Sequence, residues 1–443
     1  MSRPRSDAAP ERRPPLVLLG GSVRALAESA HRAGFAVHAA DLFCDLDTIA
    51  CARQAVSVAV AGAASERYPW SLRTAAAAFP RGAVWCYSGA LENHPAVIAA
   101  IAAERPLAGV PADVVRRLRD RRRLAAAARA AGLHVPLTLA SPALVPLDGS
   151  FLVKPRHGAG GRGIHRWTPA ARAAWAARAE QEPLIWQRLA PGLPISAAYL
   201  MAPDGSRLLG ATLQLVGCAW CRAADFAWCG GVAVRPGTGA DPCGPFLALL
   251  ERLGEELAAR FEPRGVLGVD CIALADGRVL VLEVNPRPTA SMELYERLGA
   301  GSIAGLHVAA YGLAAGGPPA VRDRTTVQPA SGPAAWSKAI LFAAAPTPIA
   351  ERQVAAIMAR RDAWTAEDGG WHAVSDLPRP GQTIPDRAPL LTVFAPGGTA
   401  DEAVAAVRGR VATIAQLFPA GAGQPAIRCG IDGLTAGAAK CIR

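Results

Sequence analysis

Lys154 stands directly before a loop with glycine at Gly158, Gly160, Gly161 and Gly163, and that order of residue types suits a polyphosphate. The apolar run FLV (151–153) reads as a strand that carries the lysine into the loop. Further along, Asp270, Glu283 and Asn285 recur within GVD (268–270) and EVNPR (283–287). Oxygen-bearing side chains in that number suit the divalent cation that travels with a polyphosphate.

The elements around the acids predict how they meet. Asp276-Gly277 is a two-residue hairpin signal, because both turn positions must tolerate positive φ. With those two residues as the turn, Ala275 faces Arg278, and pairing outward in step sets Asp270 opposite Glu283. Opposed side chains lie about 4.5–5.5 Å apart at Cβ, where two carboxylates repel unless a cation separates them. Glu283 and Asn285 are two apart on one strand and share a face. No sulfur or imidazole joins them, which favours Mg2+ or Mn2+ over zinc. The alternative is a solvated sheet face whose acids are neutralised by Arg278 or Arg287. The glycine loop beside it in the chain's design tips the reading towards a metal–nucleotide site.

Lysine usage sharpens the first motif. Of 47 basic residues only Lys154, Lys338 and Lys440 are lysines, and one of them precedes the glycine loop. An ammonium on a flexible stem acts as a point charge for phosphate oxygens, where a guanidinium fork is broader. Ile164-His-Arg-Trp167 reads as a returning strand, so the loop is a hairpin flap. A P-loop would need GxxxxGK[ST], and the dinucleotide motif a strand-to-helix turn.

FLVKPRHGAGGRGI (151–164), LIWQRLAPG (184–192) and VLGVDCIALADGRVLVLEVNPRPTASMELYE (266–296) together resemble the ATP-grasp superfamily in order and spacing. The likeness runs over 113–315 in detail. It implies ATP clasped between two α+β lobes, a carboxylate converted to an acyl phosphate, and attack on it by an amine or another nucleophile. Under the resemblance Lys154 holds phosphates beneath the 158–163 flap. Gln187, Arg188 and Leu189 form the hinge that meets adenine, mainly through backbone groups. Asp270, Glu283 and Asn285 bind the magnesium ions, and Arg287 faces the transferred phosphoryl group. The family usually has a further phosphate-contacting lysine in the first lobe, where this chain reads Asp120-Arg121-Arg122-Arg123. Arg121 is the candidate substitute, with a fork in place of a point charge. Within the superfamily the chain resembles ligases of the tyramine–glutamate type, tied to tetrahydromethanopterin and methanofuran one-carbon metabolism.

Activation by phosphorylation has its own logic. A carboxylate is a poor acyl donor because its leaving group would be oxide, and phosphorylation replaces that with a good one. The protein's share is positioning and charge neutralisation along an in-line transfer. No Ser-His-Asp or Cys-His nucleophile is needed.

Length and composition are those of a globular enzyme: 443 residues, 51% apolar, with three domains or lobes as the natural division. The net charge of +11 raises the question of nucleic acid. The arginines are scattered, however, and the one dense run, 116–123, lacks interleaved aromatics, so a solvated helix face is favoured. The arginine- and proline-rich start, 1–15, reads as a disordered basic tail, and the apolar run behind it is too short for a signal peptide. Residues 299–320 lack charge, yet their glycines and prolines read as a core helix and loop, not a membrane span. A cytoplasmic location follows. The ten cysteines sit mostly in apolar segments and read as reduced thiols; Cys218-x-x-Cys221 lacks a second CxxC or a nearby histidine for zinc.

The expected fold is therefore α/β with α+β lobes, of the ATP-grasp type. A Rossmann-like domain spans 16–112, opening with a strand at 16–19, a helix over about 22–33 and a strand at 36–40. Ser22, Arg24, Asp41 and Glu92 lie near its strand ends and are the substrate-side candidates, with strand-end hydrogen bonding as the competing explanation. The ATP-grasp domain spans 113–315, in lobes 113–184 and 185–315, and begins with a helix over 113–134. A linker at 316–333 leads to a small β-rich C-terminal domain, 334–443, patterned like that of biotin-carboxylase-type proteins. There Thr399 and Glu402 predict a capped helix whose valine stripe is core, and Lys338 reads as a surface lysine, with reach into the active site as the alternative. The predicted activity is ATP- and Mg2+-dependent ligation of a small-molecule carboxylate to an amine. A carboxylating enzyme working through carboxyphosphate and a non-catalytic ATP-binding regulator are the alternatives. Neither nucleic acid nor membrane is expected as a partner, and a homodimer is the default.

Overall fold

A computed structural model of the chain describes residues 14–175, 183–238, 241–313 and 332–419, apart from 59, 62 and 65. The predicted tail (to residue 13) and most of the predicted linker lie outside the described residues, as does 420–443. The first unit is a parallel sheet ordered Gln54–Ser57, Ala36–Asp41, Pro15–Gly20, Val84–Ser88. Pro15–Gly20 carries the continuous apolar run LVLL because helices cover the sheet, and Leu18, Leu19 and Trp85 are fully buried. The helix at Arg24–Arg32 follows the first strand.

The single helix predicted over 113–134 is two, Ala112–Leu118 and Arg121–Ala130. The break falls at Asp120, whose extended backbone lets its side chain accept from the Arg123 N–H at 2.9 Å. A capping aspartate satisfies a donor that a continuous helix would bond internally, so it starts a new helix.

Three antiparallel sheets follow among the described residues, one of them only the pair Thr347–Pro348 and Thr383–Ile384. The small one runs Thr138–Leu139, Leu184–Arg188, Phe151–Pro155, His165–Arg166. The large one has eight strands, in the order Val279–Asn285, Gly265–Ala273, Leu193–Ala202, Gly205–Val216, Trp228–Val234, Ala335–Phe342, Pro389–Gly397, Val374–Ser375. Strands from the predicted C-terminal domain thus extend the sheet that carries the acidic hairpin, with Gly230 paired to Ala339. Helix Leu247–Phe261 packs on this sheet through Leu250, Leu253, Leu257 and Phe261, which recur on one face. Each such fully buried side chain contributes about 1.5–3 kcal/mol. The capped helix forms at Ala400–Ala415, with Thr399 accepting from the Glu402 N–H and Val407, Val411 and Ile414 buried. Mixed helix and sheet in this arrangement is the α/β class read from the sequence. The eight described cysteines are unbridged. Among the described residues no helix is long and apolar enough to cross a membrane.

Candidate active site

Asp270 does lie opposite Glu283, and Gly268 opposite Asn285, but by a different route from the one predicted. The turn has three residues, not two: the Leu274 N–H donates to the Arg278 carbonyl at 2.8 Å, and Gly277 holds φ +85°. Pairing in step from there would set Asp270 against Leu282. A bulge between Asp270 and Cys271 shifts the register by one and restores the Glu283 pairing. Asp270 accepts from Gln214 Nε2 at 2.8 Å and Asn285 Nδ2 at 2.9 Å. Burial, followed by the charge of Glu283, pushes its carboxyl up to about 6. Two acids and an amide, all oxygen donors for a cation and mutually repelling without one, fit Mg2+ or Mn2+.

Lys154 faces this hairpin from the small sheet. Its ammonium donates to Gln187 Oε1 at 2.8 Å, and Gln187 in turn donates to Thr138 Oγ1 at 3.1 Å. Burial lowers its pKa, Glu283 and Asp270 pull it back up, and Arg121 adds to the lowering. The glycine loop is folded down onto the large sheet. The Trp228 N–H donates to the Gly160 carbonyl at 3.0 Å, and Asn93 Nδ2 to the Gly158 carbonyl at 3.2 Å. Gly161, at φ +73°, passes so close that a Cβ there would sit 1.8 Å from the Phe226 carbonyl oxygen. Under this loop lies a cavity of about 1030 Å³, walled by Lys154, Gln187, Asp270, Glu283, Asn285 and Arg287 among others.

A family profile described as the ATP-grasp domain matches residues 118–291. Residues 118–291 thus match an ATP-grasp domain. Solved structures share the fold across nearly the whole chain. Carboxyaminoimidazole ribonucleotide synthase from Aspergillus clavatus, complexed with ATP, is 15% identical at a TM-score of 0.61, covering 92% of this chain and 99% of its own. The L-amino acid ligase from Bacillus licheniformis is 14% identical, TM-score 0.61, with 92% and 98% covered. The biotin carboxylase domain of Hydrogenobacter thermophilus 2-oxoglutarate carboxylase, complexed with MgADP and bicarbonate, is 13% identical, TM-score 0.60, with 91% and 90% covered. No curated protein matches the sequence.

The remaining candidates divide around this cavity. Gly158, Gly160, Gly161, Arg188, Leu189, Ser22, Arg24 and Glu92 are on its wall; Gly163, Arg121 and Asp41 are not. The N–H groups of Arg188 and Leu189 are already given to the carbonyls of Leu137 and Ser150 at 2.8 and 2.9 Å. A base at that hinge therefore has to use other backbone groups. Arg121 is the exposed first residue of its helix. Glu92 is not a free substrate ligand: it takes both arms of Arg287 at 2.7 Å, joining the Rossmann-like unit to the hairpin. Burial opposes the charge on Glu92, but Arg287 outweighs it and holds the carboxyl below its usual range. Asp41 is spent on three backbone N–H groups, of Val23, Phe43 and Cys44 at 2.7–3.1 Å, which is the strand-end explanation. Arg24 is almost fully buried, held by Glu28, Glu293 and Asp376.

Sequence reasoning misplaced one neighbour and missed another. Lys338 is no surface lysine: it is 1% exposed, because its strand lies inside the large sheet between two others. Its ammonium donates to Glu293 Oε2 at 2.6 Å and the Ala290 carbonyl at 3.0 Å, with the Phe394 ring 5.4 Å away. Its only advance signal was the rarity of lysine. Gln214, which orients Asp270, had none.

Proposed function

We propose that the chain is an ADP-forming ligase that phosphorylates a carboxylate and passes the acyl group to an amine. One observation carries the reading: Lys154 and the opposed pair Asp270 and Glu283 wall the same cavity under a glycine loop. In this reading Lys154, held by Gln187, pairs with phosphate oxygens. The glycine loop covers them and keeps water out. Asp270, Glu283 and Asn285 would hold Mg2+, which would supply neutralisation of the phosphate charge. Arg287, its fork anchored on Glu92, presents its remaining donor capacity to the cavity and stabilises charge on the migrating phosphoryl group. Arg121 would sit at the rim, outside the cavity wall. The resemblance to ligases that assemble one-carbon-carrier cofactors names the acids and amines to try first, in the cytoplasm and with a homodimer as working expectation.

The test is ADP release with candidate acids and amines, comparing wild type with Glu283→Gln. Loss of at least a hundredfold in the variant supports the reading, and equal rates remove it. ADP release driven by bicarbonate without an amine would instead mark a carboxylating enzyme. Tight ATP binding with no turnover under any substrate would mark a regulator.

A further inference from the structure

The cavity wall also holds an acid without a side-chain partner among the described residues. Asp45 is 7% exposed and lines the cavity. It precedes the short helix Leu46–Cys51 without capping it, and among the described residues its carboxylate has no hydrogen-bond or ion-pair partner. Its neighbours make matters worse for it. Burial, then the charges of Asp376, Asp47 and Asp41, push its carboxyl well above the usual range, and Arg24 offsets this only in part. The acids nearby are all occupied: Asp47 accepts from the N–H groups of Asp376 and Leu377, Asp376 is held by Arg24 and Thr392, and Glu293 by Arg24 and Lys338. A buried, unpaired carboxylate beside three others costs stability, and such costs persist where function needs the group.

A cation on the same wall is also unclaimed. Arg379 lines the cavity, forms no ion pair among the described residues, and its Nε is buried without a hydrogen-bond partner. The Leu46 N–H donates to the Leu377 carbonyl at 3.0 Å, and the Leu377 N–H donates to Asp47 at 3.1 Å, which lays the loop of Arg379 against the loop of Asp45. A lone metal ion would satisfy Asp45 and leave Arg379, and a simple anion would do the reverse. A molecule carrying an ammonium and a carboxylate completes both.

We propose that Asp45 and Arg379 form a subsite for a zwitterionic α-amino acid, Asp45 taking the ammonium and Arg379 the carboxylate. Resting on the ligase reading above, this amino acid supplies the amine: its ammonium gives one proton to the Asp45 carboxylate, the freed nitrogen attacks the acyl-phosphate carbon, and phosphate leaves with the electron pair of the broken C–O bond and the nitrogen's second proton. The subsite joins two distant parts of the chain, the loop after the second Rossmann-like strand and the loop after Val374–Ser375, so neither part suffices alone.

The test is calorimetric titration of the full chain with each of the twenty common L-α-amino acids, with and without a non-hydrolysable ATP analogue and Mg2+. Decarboxylated amines and N-acetyl amino acids serve as one-ended probes. At least one amino acid should bind wild type, and Asp45→Asn and Arg379→Gln should each weaken it tenfold or more. The decarboxylated amine should lose affinity only in Asp45→Asn, and the N-acetyl form only in Arg379→Gln. Asp45→Asn should melt no lower than wild type, since no contact is removed and repulsion is relieved; a merely structural Asp45 would give a lower melting point. No binding of any of the twenty, or binding within twofold of wild type in both variants, overturns the subsite. Binding that depends on both residues with no ADP formed under any acid leaves the subsite standing and removes the ligase reading. ADP formation with an amino acid indifferent to both variants does the opposite.

Discussion

Replacing Gly161 with alanine should keep the glycine loop from closing, and Gly160→Ala supplies an internal control. Both glycines hold left-handed backbone, φ +73° at Gly161 and +60° at Gly160, so alanine at either pays about 1–2 kcal/mol in that conformation. Their surroundings differ. A Cβ at Gly160 meets nothing within 4 Å, whereas at Gly161 it lands 1.8 Å from the Phe226 carbonyl oxygen and 2.8 Å from its carbon. Backbone cannot swing aside as a side chain can, so overpacking adds about 1–3 kcal/mol to the closed state. The sum, about 2–5 kcal/mol, lowers closed-loop population roughly thirtyfold to four-thousandfold, against about five- to thirtyfold for Gly160→Ala. Trypsin gives the assay, because exposed Arg162 lies within the loop. With Mg2+ and a non-hydrolysable ATP analogue, cleavage after Arg162 should slow in wild type, slow less in Gly160→Ala, and scarcely change in Gly161→Ala. Nucleotide affinity should fall in the same order. If Gly161→Ala is protected as well as Gly160→Ala, the loop does not close against Phe226 and this account of the cavity's cover fails.

Glu293→Gln should cost about 3–5 kcal/mol of unfolding free energy, because it leaves Arg24 and Lys338 buried with a carboxylate missing between them. A shift in the urea midpoint equivalent to under 1 kcal/mol would contradict that role. His307 predicts an acid-labile junction. Burial drops its pKa to about 4, with its ring bonded to the Val266 N–H at 2.9 Å and the Ala108 carbonyl at 2.9 Å. The unfolded chain takes up that proton near pH 6.5 and the folded one only near 4, so this stability is present above 6.5 and lost on acidification between those values, by about 3 kcal/mol in all. Urea titrations between pH 7 and 4.5 should show a shallower pH slope in His307→Gln, and identical slopes would exclude the histidine as the cause.

Much of the site was legible because its chemistry is local. The lysine before a run of glycines, and acids spaced along a hairpin, sit within short stretches whose periodicity and turn residues announce strand and loop. The valine stripe of Ala400–Ala415 and the parallel strands of the first unit were readable for the same reason. Even there, short-range counting was fragile: Asp270 meets Glu283 only because a longer turn and a bulge cancel. Helix 113–134 broke because a capping aspartate outweighed continuous periodicity.

What the chain order by itself determined, then, is which elements form and which two motifs bear the chemistry. Only the tertiary structure decided who pairs with whom. Arg287 finds Glu92 across 195 positions and Arg24 finds Asp376 across 352, and no spacing rule spans such distances. Burial belongs to the same level. Lys338 went from presumed surface to cavity wall because strands on both sides enclosed it, and Asp45 stands out from Asp41 and Asp47 because folding gave those two partners and left it none among the described residues. Charge is written in the sequence, but its cost depends on desolvation and neighbours, and those exist only once distant segments pack.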